Sequence, residues 1–371
     1  MVSKKFAFVA ISGLVISFLF LWVYEVYYYH SGDVFTYMDE YGLFGNGTLS
    51  SGLLRQPRVK WFIWATYPLF ILGGKSILGT ALVFVSFSVL SKWVFFQTYK
   101  NTFGLNEWVL FASVFLMPSF MFWTSGITKE SVVVSVVLLS FTLLKKNDWI
   151  SRFIVGLLFL SILQIKPYIL VMLLLFFGVY RMLDLKRNKK VLLSVGLIFV
   201  LCAIWYFFPK FSPIHVADTL NQNASSSLSL DGGSDLDLSV WGDSFFMKGL
   251  IGFFAVLFKP FIFGGTLMSN IQGLEKVVLI GLVLLFLLWK QWNLPKGVNL
   301  LLLGWFVSLS IILTLSSPNL GTISRYSVYY APLLLYFLLA NLSFSETGFQ
   351  SIKSNKATDH GETHQPTPKK K

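Results

Sequence analysis

The chain is 371 residues long, 55% hydrophobic, 18% aromatic and only 13% charged, with a formal net charge of +13. Soluble domains carry roughly twice that charged fraction, so a water-soluble globular fold is excluded. The positive charge does not point to nucleic acid, because membrane-embedded chains collect Lys and Arg on one face.

Apolar runs at 6–29, 76–97, 191–208, 274–290 and 298–315 approach the ~20 residues that cross ~30 Å of hydrocarbon as a helix. Backbone groups in lipid must be satisfied within their own segment. The fold class predicted is therefore all-α, a polytopic membrane protein of about ten transmembrane helices with extracytoplasmic loop and interfacial helices. The run after "MVSKK" is too long for a signal h-region and lacks a small-x-small cleavage site, so it reads as a retained first helix.

With Lys4 and Lys5 in the cytoplasm, the first helix exits and 30–60 forms an outer loop. Residues 61–72 are predicted to lie along the interface, and 76–97 to cross inward after "GGK". Residues 107–123 cross outward, "TSGITKE" turns outside, and the next helix returns to Lys145 and Lys146. Crossings at 149–164 and 168–180 flank "QIKPY", and 191–208 exits after the basic "RMLDLKRNKK". The polar loop 209–247 and the broken segment around "LFKPFIFGG" stay outside, giving an outer loop 209–273. Residues 274–290 return, 298–315 exit, 316–327 is an outer loop, and 328–342 return. Residues 1–342 thus form a transmembrane domain, and the polar tail 343–371 is predicted to be disordered and cytoplasmic.

Charge supports this orientation. The cytoplasmic segments take nineteen of the 30 basic residues, Lys92 among them, and six of the 17 acidic ones, leaving +13 inside and zero outside. The single Cys202 excludes a disulfide framework.

Charged residues gather on the outer side at the ends of apolar runs: Asp33, Asp39, Glu40, Arg55, Arg58, Lys129, Glu130, Lys166, Lys259, Glu275 and Arg325. A charge at such depth is costly unless paired or facing a wet cavity, so each is a functional candidate. Bland alternatives stand beside that reading. Lys166 and Lys259 can snorkel to the interface, Asp33 can make a turn after Gly32, and Thr128 with Glu130 can cap a helix. Arg325 lies in "GTISRYSVYY" and offers a guanidinium suited to phosphate. "DGGSDLD" at 231–237 could hold a divalent cation but reads better as a solvated loop, so no metal or cofactor is expected. "NGT", "NAS" and "NLS" fit the glycosylation sequon, and His30 and His215 lack partners at metal-ligand spacing. There is no Walker loop, dinucleotide fingerprint or "GxSxG".

The first outer loop, "GDVFTYMDEYG", sets Asp33 before Tyr37 and Asp39–Glu40 before Tyr41. It resembles the polytopic lipid-linked sugar transferases of the GT-C class, which include protein O-mannosyltransferases and the aminoarabinose transferases of lipid A. "PSFMFWTSGITKE", "KPY", "LFKPF" and "SSPNLGTISRY" look like segments of bacterial envelope proteins grouped with that class. "RQPRVKWF" stands where the class often carries a histidine-proline pair. The resemblance implies a glycosyltransferase of the bacterial cytoplasmic (inner) membrane, taking a sugar from a polyprenyl-phosphate donor to a glycan, lipid or protein acceptor. By that implication Asp33, or Asp39 and Glu40, supplies the general base. Lys129, Glu130, Lys166, Lys259, Arg325, Tyr326 and Arg58 bind substrate or phosphate, and Trp123 and Tyr326 stack on sugar faces or line the prenyl groove.

Two other readings stay open. An O-antigen or capsule repeat-unit polymerase or ligase leans on Arg and His in a large late loop, whereas 209–247 has His215 and Lys210 but no Arg. A transporter or flippase of lipid-linked oligosaccharide needs broken helices and repeat symmetry. The interrupted segments at 164–168 and 258–265 match it in part, but no internal repeat is visible.

Overall fold

The computed structural model describes residues 4–27, 37–38, 57–100, 107–146, 148–183, 244–258, 267–289, 294, 296–316 and 325–342. Among them are twelve α-helices, one 3-10 helix and no strand. In chain order these are α1 (Lys4–Tyr27), α2 (Pro57–Leu72), α3 (Ile77–Tyr99), α4 (Glu107–Phe115), α5 (Pro118–Thr124) and α6 (Lys129–Lys146). There follow α7 (Trp149–Ile165), α8 (Pro167–Leu183), α9 (Phe245–Phe258), α10 (Leu267–Trp289), α11 (Lys296–Ser316), the 3-10 turn Ser327–Tyr329 and α12 (Ala331–Leu342).

Ile77–Tyr99 and Asn270–Leu288 are each long and apolar enough to cross a membrane, and α4 with α5 makes a third when the bent pair counts as one span. Shorter apolar helices accompany them, including Trp149–Ile165 and Gly297–Ile311. The described residues are therefore all-helical, with helices suited to a membrane. The ten predicted crossings are not reached among the described residues; 191–208 lies outside them, as do the loop 209–243 and the tail 343–371.

Proline sets the breaks. Pro118 stands at the start of α5, has no N–H to continue α4, and drives Met117 into extended backbone (φ −79°, ψ 112°). The two helices bend by 56° there. Pro167 does the same between α7 and α8, leaving Lys166 at the apex with φ −143° and ψ 73°. Between α2 and α3 the device is glycine. Gly74 adopts φ +66°, and its N–H reaches Ile71 O while Lys75 N–H reaches Phe70 O, the paired bonds of a Schellman stop. Ser76 then caps α3, accepting from Gly79 N–H at 3.1 Å.

That tight turn makes α2 and α3 an antiparallel hairpin, with Phe62 meeting Phe84 at 6.3 Å between ring centroids. The expectation that 61–72 lies along an interface is thus corrected: the segment runs beside α3 and also packs on α7. The stretch 245–258, which the sequence places within the outer loop 209–273, is a helix packed along α11, with Phe253 edge-on to Phe306 at 5.6 Å.

α3 is the central post. α1 packs antiparallel on it, Phe6 touching Trp93 at 5.3 Å, and α6 runs parallel to it, Tyr99 OH donating to Phe141 O at 2.8 Å. Lys145 Nζ donates to Thr98 O, so Lys100, Lys145 and Lys146 share one end of the bundle. Phe96 meets Phe111 and Phe115 edge-on at 5.7 and 6.0 Å, contacts worth about 0.5–1.5 kcal/mol each beyond area. At the far side, Asn341 donates to Asn299 Oδ1 at 2.8 Å and to Phe337 O at 2.9 Å, and Asn299 donates to Leu294 O at 2.8 Å. Asn341 is buried in this clasp between α11 and α12, so its sequon is out of reach; those at Asn46 and Asn223 lie outside the described residues.

Candidate functional site

Three chain interruptions converge at the end of α6 opposite Lys145. The first is the turn Ser125–Thr128, which is buried throughout. Ser17 of α1 donates to Ser125 O at 2.8 Å, and Thr128 N–H bonds to Gly126 O at 2.9 Å. Thr128 Oγ1 donates to Trp123 O at 2.9 Å and accepts from Ser131 N–H at 3.0 Å. Thr128 is thus the cap that the sequence suggested, and it delivers Glu130 into the first turn of α6. The second is the Lys166–Pro167 break. The third is the segment Arg325–Tyr330, pinned by Trp305 Nε1 donating to Tyr329 O at 2.9 Å.

The side chains of these interruptions meet. Lys166 Nζ donates to Glu130 Oε1 at 2.8 Å, and Arg325 Nε lies 3.2 Å from the same oxygen. The Glu130 and Lys166 side chains are 1% and 5% exposed, whereas Arg325 is 21% exposed and forms the open side of the trio. Lys166 Nζ also sits 3.9 Å from the Tyr326 ring centroid, 5.7 Å from Tyr329 and 5.8 Å from Tyr168. Desolvated cation–π contacts of this kind are worth up to ~2 kcal/mol. Lys129 points the other way, over the Tyr37 ring at 5.7 Å, and Tyr37 packs on Phe62 at 4.7 Å.

Among the described residues, the Lys166 ammonium and the Arg325 guanidinium both face the Glu130 carboxylate. The other oxygen, Glu130 Oε2, has no hydrogen-bond partner among the described residues, nor do the hydroxyls of Ser125, Ser131 and Tyr329. Each such orphan costs about 1–3 kcal/mol, an unusual density for one corner of a fold. The cluster lies ~22 Å along α6 from Lys145, at 1.5 Å per residue.

Two buried charges elsewhere have structural partners. Glu275 of α10 accepts from Ser119 N–H at 2.8 Å and from Ser119 Oγ at 2.6 Å. It closes the open N-terminus of α5 from a neighbouring helix, so it stands inside the bundle and apart from the trio. Lys92, expected among the cytoplasmic charges, is fully buried in α3. Its Nζ contacts Thr124 Oγ1 at 2.5 Å and Met121 Sδ at 3.4 Å, and lies 4.8 Å from the Phe120 ring centroid. That charge belongs to the bundle interior, which corrects its place in the orientation tally.

Of the sequence candidates, the structure brings together Glu130, Lys166, Arg325 and Tyr326, with Lys129 adjoining. Arg58 falls in the first turn of α2, its side chain outside the described residues. Asp33, Asp39, Glu40 and Lys259 also lie outside them, as do His215, Cys202 and "DGGSDLD". Trp123 is half-buried beside Phe122 at 5.0 Å. Sequence reading overlooked Tyr168 and Tyr329 as walls of the cluster. The available signal was a tyrosine within a few residues of each cation, in "KPY" and "SRYSVYY". Set against family models, curated proteins and solved structures, the chain matches none.

Proposed function

We propose that the protein is a membrane glycosyltransferase that moves a sugar from a polyprenyl-phosphate donor to an extracytoplasmic acceptor in cell-envelope glycan synthesis. The supporting observation is that Lys166 and Arg325 converge on one buried carboxylate, Glu130, with the Arg325 guanidinium at the open side of the cluster. Guanidinium and ammonium donors held together in this way suit the phosphate monoanion of a lipid carrier. The lysine-rich end at Lys100, Lys145 and Lys146 is taken as cytoplasmic by the positive-inside rule. Exposed Trp108 and Trp149 near that end suit a membrane interface. The Glu130 cluster then belongs to the extracytoplasmic half of the bilayer, where a lipid phosphate can be presented.

In this reading Asp33 is the general base, four residues before the Tyr37 that packs against Lys129. It takes the proton of the acceptor hydroxyl, whose oxygen attacks the anomeric carbon. The bond from that carbon to the phosphate oxygen breaks, and its electron pair leaves on the polyprenyl phosphate. Arg325 and Lys166 stabilise that negative charge as it develops. No metal is needed for a monophosphate leaving group. The test is transfer of labelled sugar from a polyprenyl-phosphate donor in membranes. Arg325→Ala is expected to lower the rate by 10²–10³-fold and Asp33→Asn to abolish it. Wild-type transfer from both variants would refute the assignment.

One observation favours a second reading, a transporter of lipid-linked oligosaccharide: the 56° break between α4 and α5 leads directly into the buried turn before Glu130. Transporters set ion and substrate sites at such breaks. Movement of an intact lipid-linked glycan across proteoliposomes, without covalent transfer, would select that reading.

A further inference from the structure

From the orphaned side of the cluster we infer that Glu130 Oε2, with the Tyr329 hydroxyl, is a recognition point for hydroxyl groups of the substrate's sugar, distinct from the cationic side that meets phosphate. The inference rests on the glycosyltransferase reading and assigns its specificity. Glu130 divides its two oxygens between different tasks. Oε1 is occupied by Lys166 at 2.8 Å and Arg325 at 3.2 Å, which fixes the carboxylate plane. Oε2 is buried and accepts nothing among the described residues. An acceptor held in this way calls for an O–H or N–H donor.

Tyr329 supplies the complementary partner. Its ring stands 5.7 Å from Lys166 Nζ, on the segment that carries Arg325, and its hydroxyl also lacks a hydrogen-bond partner among the described residues. A carboxylate oxygen only accepts, whereas a tyrosine hydroxyl both donates and accepts. Together they match a group that both gives and takes hydrogen bonds, which a sugar hydroxyl does and a phosphate diester or prenyl chain does not. Arg325, the most exposed member of the trio, marks the side from which a phosphate would arrive with its sugar directed inward. A site that hydrogen-bonds a substrate hydroxyl rejects analogues lacking it, because its own groups are then left unpaired.

The test measures binding of farnesyl phosphate and of its glucosyl, galactosyl, mannosyl and aminoarabinosyl esters to the full chain in micelles. The wild type is expected to prefer at least one ester over farnesyl phosphate by ~10-fold or more, the worth of about one such hydrogen bond. Tyr329→Phe, which leaves both ion pairs in place, should cut that preference by ~10-fold and leave farnesyl phosphate affinity within about twofold. Glu130→Gln should erase the preference and hold or tighten farnesyl phosphate, since the cluster becomes more positive. If Glu130→Gln does not fold, Tyr329→Phe decides alone. Equal wild-type affinity for all five probes would overturn the hydroxyl assignment while leaving phosphate recognition standing, as would a Tyr329→Phe variant with unchanged preference. Failure of the wild type to bind farnesyl phosphate and every ester would overturn the glycosyltransferase reading itself.

Discussion

Lys166, at the proline break between α7 and α8, and Glu130, at the capped start of α6, meet at 2.8 Å with both side chains almost wholly removed from solvent. Neither a single helix nor a single loop could present that pair. Two local stop signals, Thr128 and Pro167, place their neighbours at the same depth, and Arg325 closes the trio from a third segment.

Removing one member of this pair should be far worse than removing both. Lys166→Met leaves Glu130 with Arg325 alone and is expected to cost about 3–5 kcal/mol of stability. Adding Glu130→Gln should restore at least ~2 kcal/mol, because neutral residues carry a smaller desolvation penalty. Denaturation of the purified protein in micelles measures both. A double variant as unstable as the sum of the singles would show that the pair is not coupled.

Lys92 offers the opposite case. It is buried on three apolar or weakly polar neighbours, so Lys92→Met should fold with a thermal midpoint within roughly 3 °C of wild type. Lys92→Glu should fail to accumulate in membranes. If the methionine variant is lost as completely as the glutamate variant, the ammonium itself holds α3 to α5.

The hairpin turn separates two kinds of glycine requirement. A Cβ on Gly73 would stand 2.3 Å from Thr80 N, against backbone that cannot yield, so Gly73→Ala should cost ~3 kcal/mol or more. At Gly74 there is open space but φ is +66°, and Gly74→Ala should cost only ~1–2 kcal/mol. Gly74→Asn should recover part of that. Thermal unfolding of the three variants ranks them, and a Gly74→Ala variant less stable than Gly73→Ala would reverse the reasoning.

Asp148 introduces a pH dependence. Its carboxylate accepts from Ser151 N–H and Ser151 Oγ, each at 2.7 Å, and these bonds hold its carboxyl below the usual value. A depressed folded-state value stabilises the protein above the unfolded value, and that stabilisation fades as pH falls through the folded one. Asp148→Asn supplies a cap that does not titrate. The thermal midpoint of this variant should therefore fall less steeply between about pH 5 and pH 3 than that of the wild type. Identical slopes would remove Asp148 as a contributor.

The helices themselves were legible because apolar runs and proline breaks are written in the residues. α3, α7, α8 and α11 begin and end within a few positions of the runs that announce them. The cap at Thr128 and the clustering of Glu130, Lys166 and Arg325 followed from charges stranded at run ends. What stayed hidden depends on neighbours distant in sequence. Lys92 within "SFSVLSKWVFF" looks the same whether it faces water or Thr124, because the hydroxyl that meets it is 32 residues away. Glu275 was placed with the outer-side candidates because its partner is the start of α5 at Ser119, 156 residues away, and a helix end has no letter of its own. The segment 61–72 was misplaced because the approach of Gly73 to Thr80, which folds α2 back along α3, shows only in three dimensions.

The bond from Ser17 to Ser125 spans 108 residues of sequence. At ~5–20 residues per second of synthesis, the hydroxyl on the first helix emerges roughly 5–20 seconds before the carbonyl it will serve. Until then it must turn to its own helix, as Ser12 does toward Phe8 at 2.8 Å. The early segment is thus an inserted template waiting for a later one, and the angle of the second is decided by a surface already in place. Delaying translation between the two should be tolerated, whereas supplying α1 last, as in a circular permutant, should trap the intervening turn in other shapes.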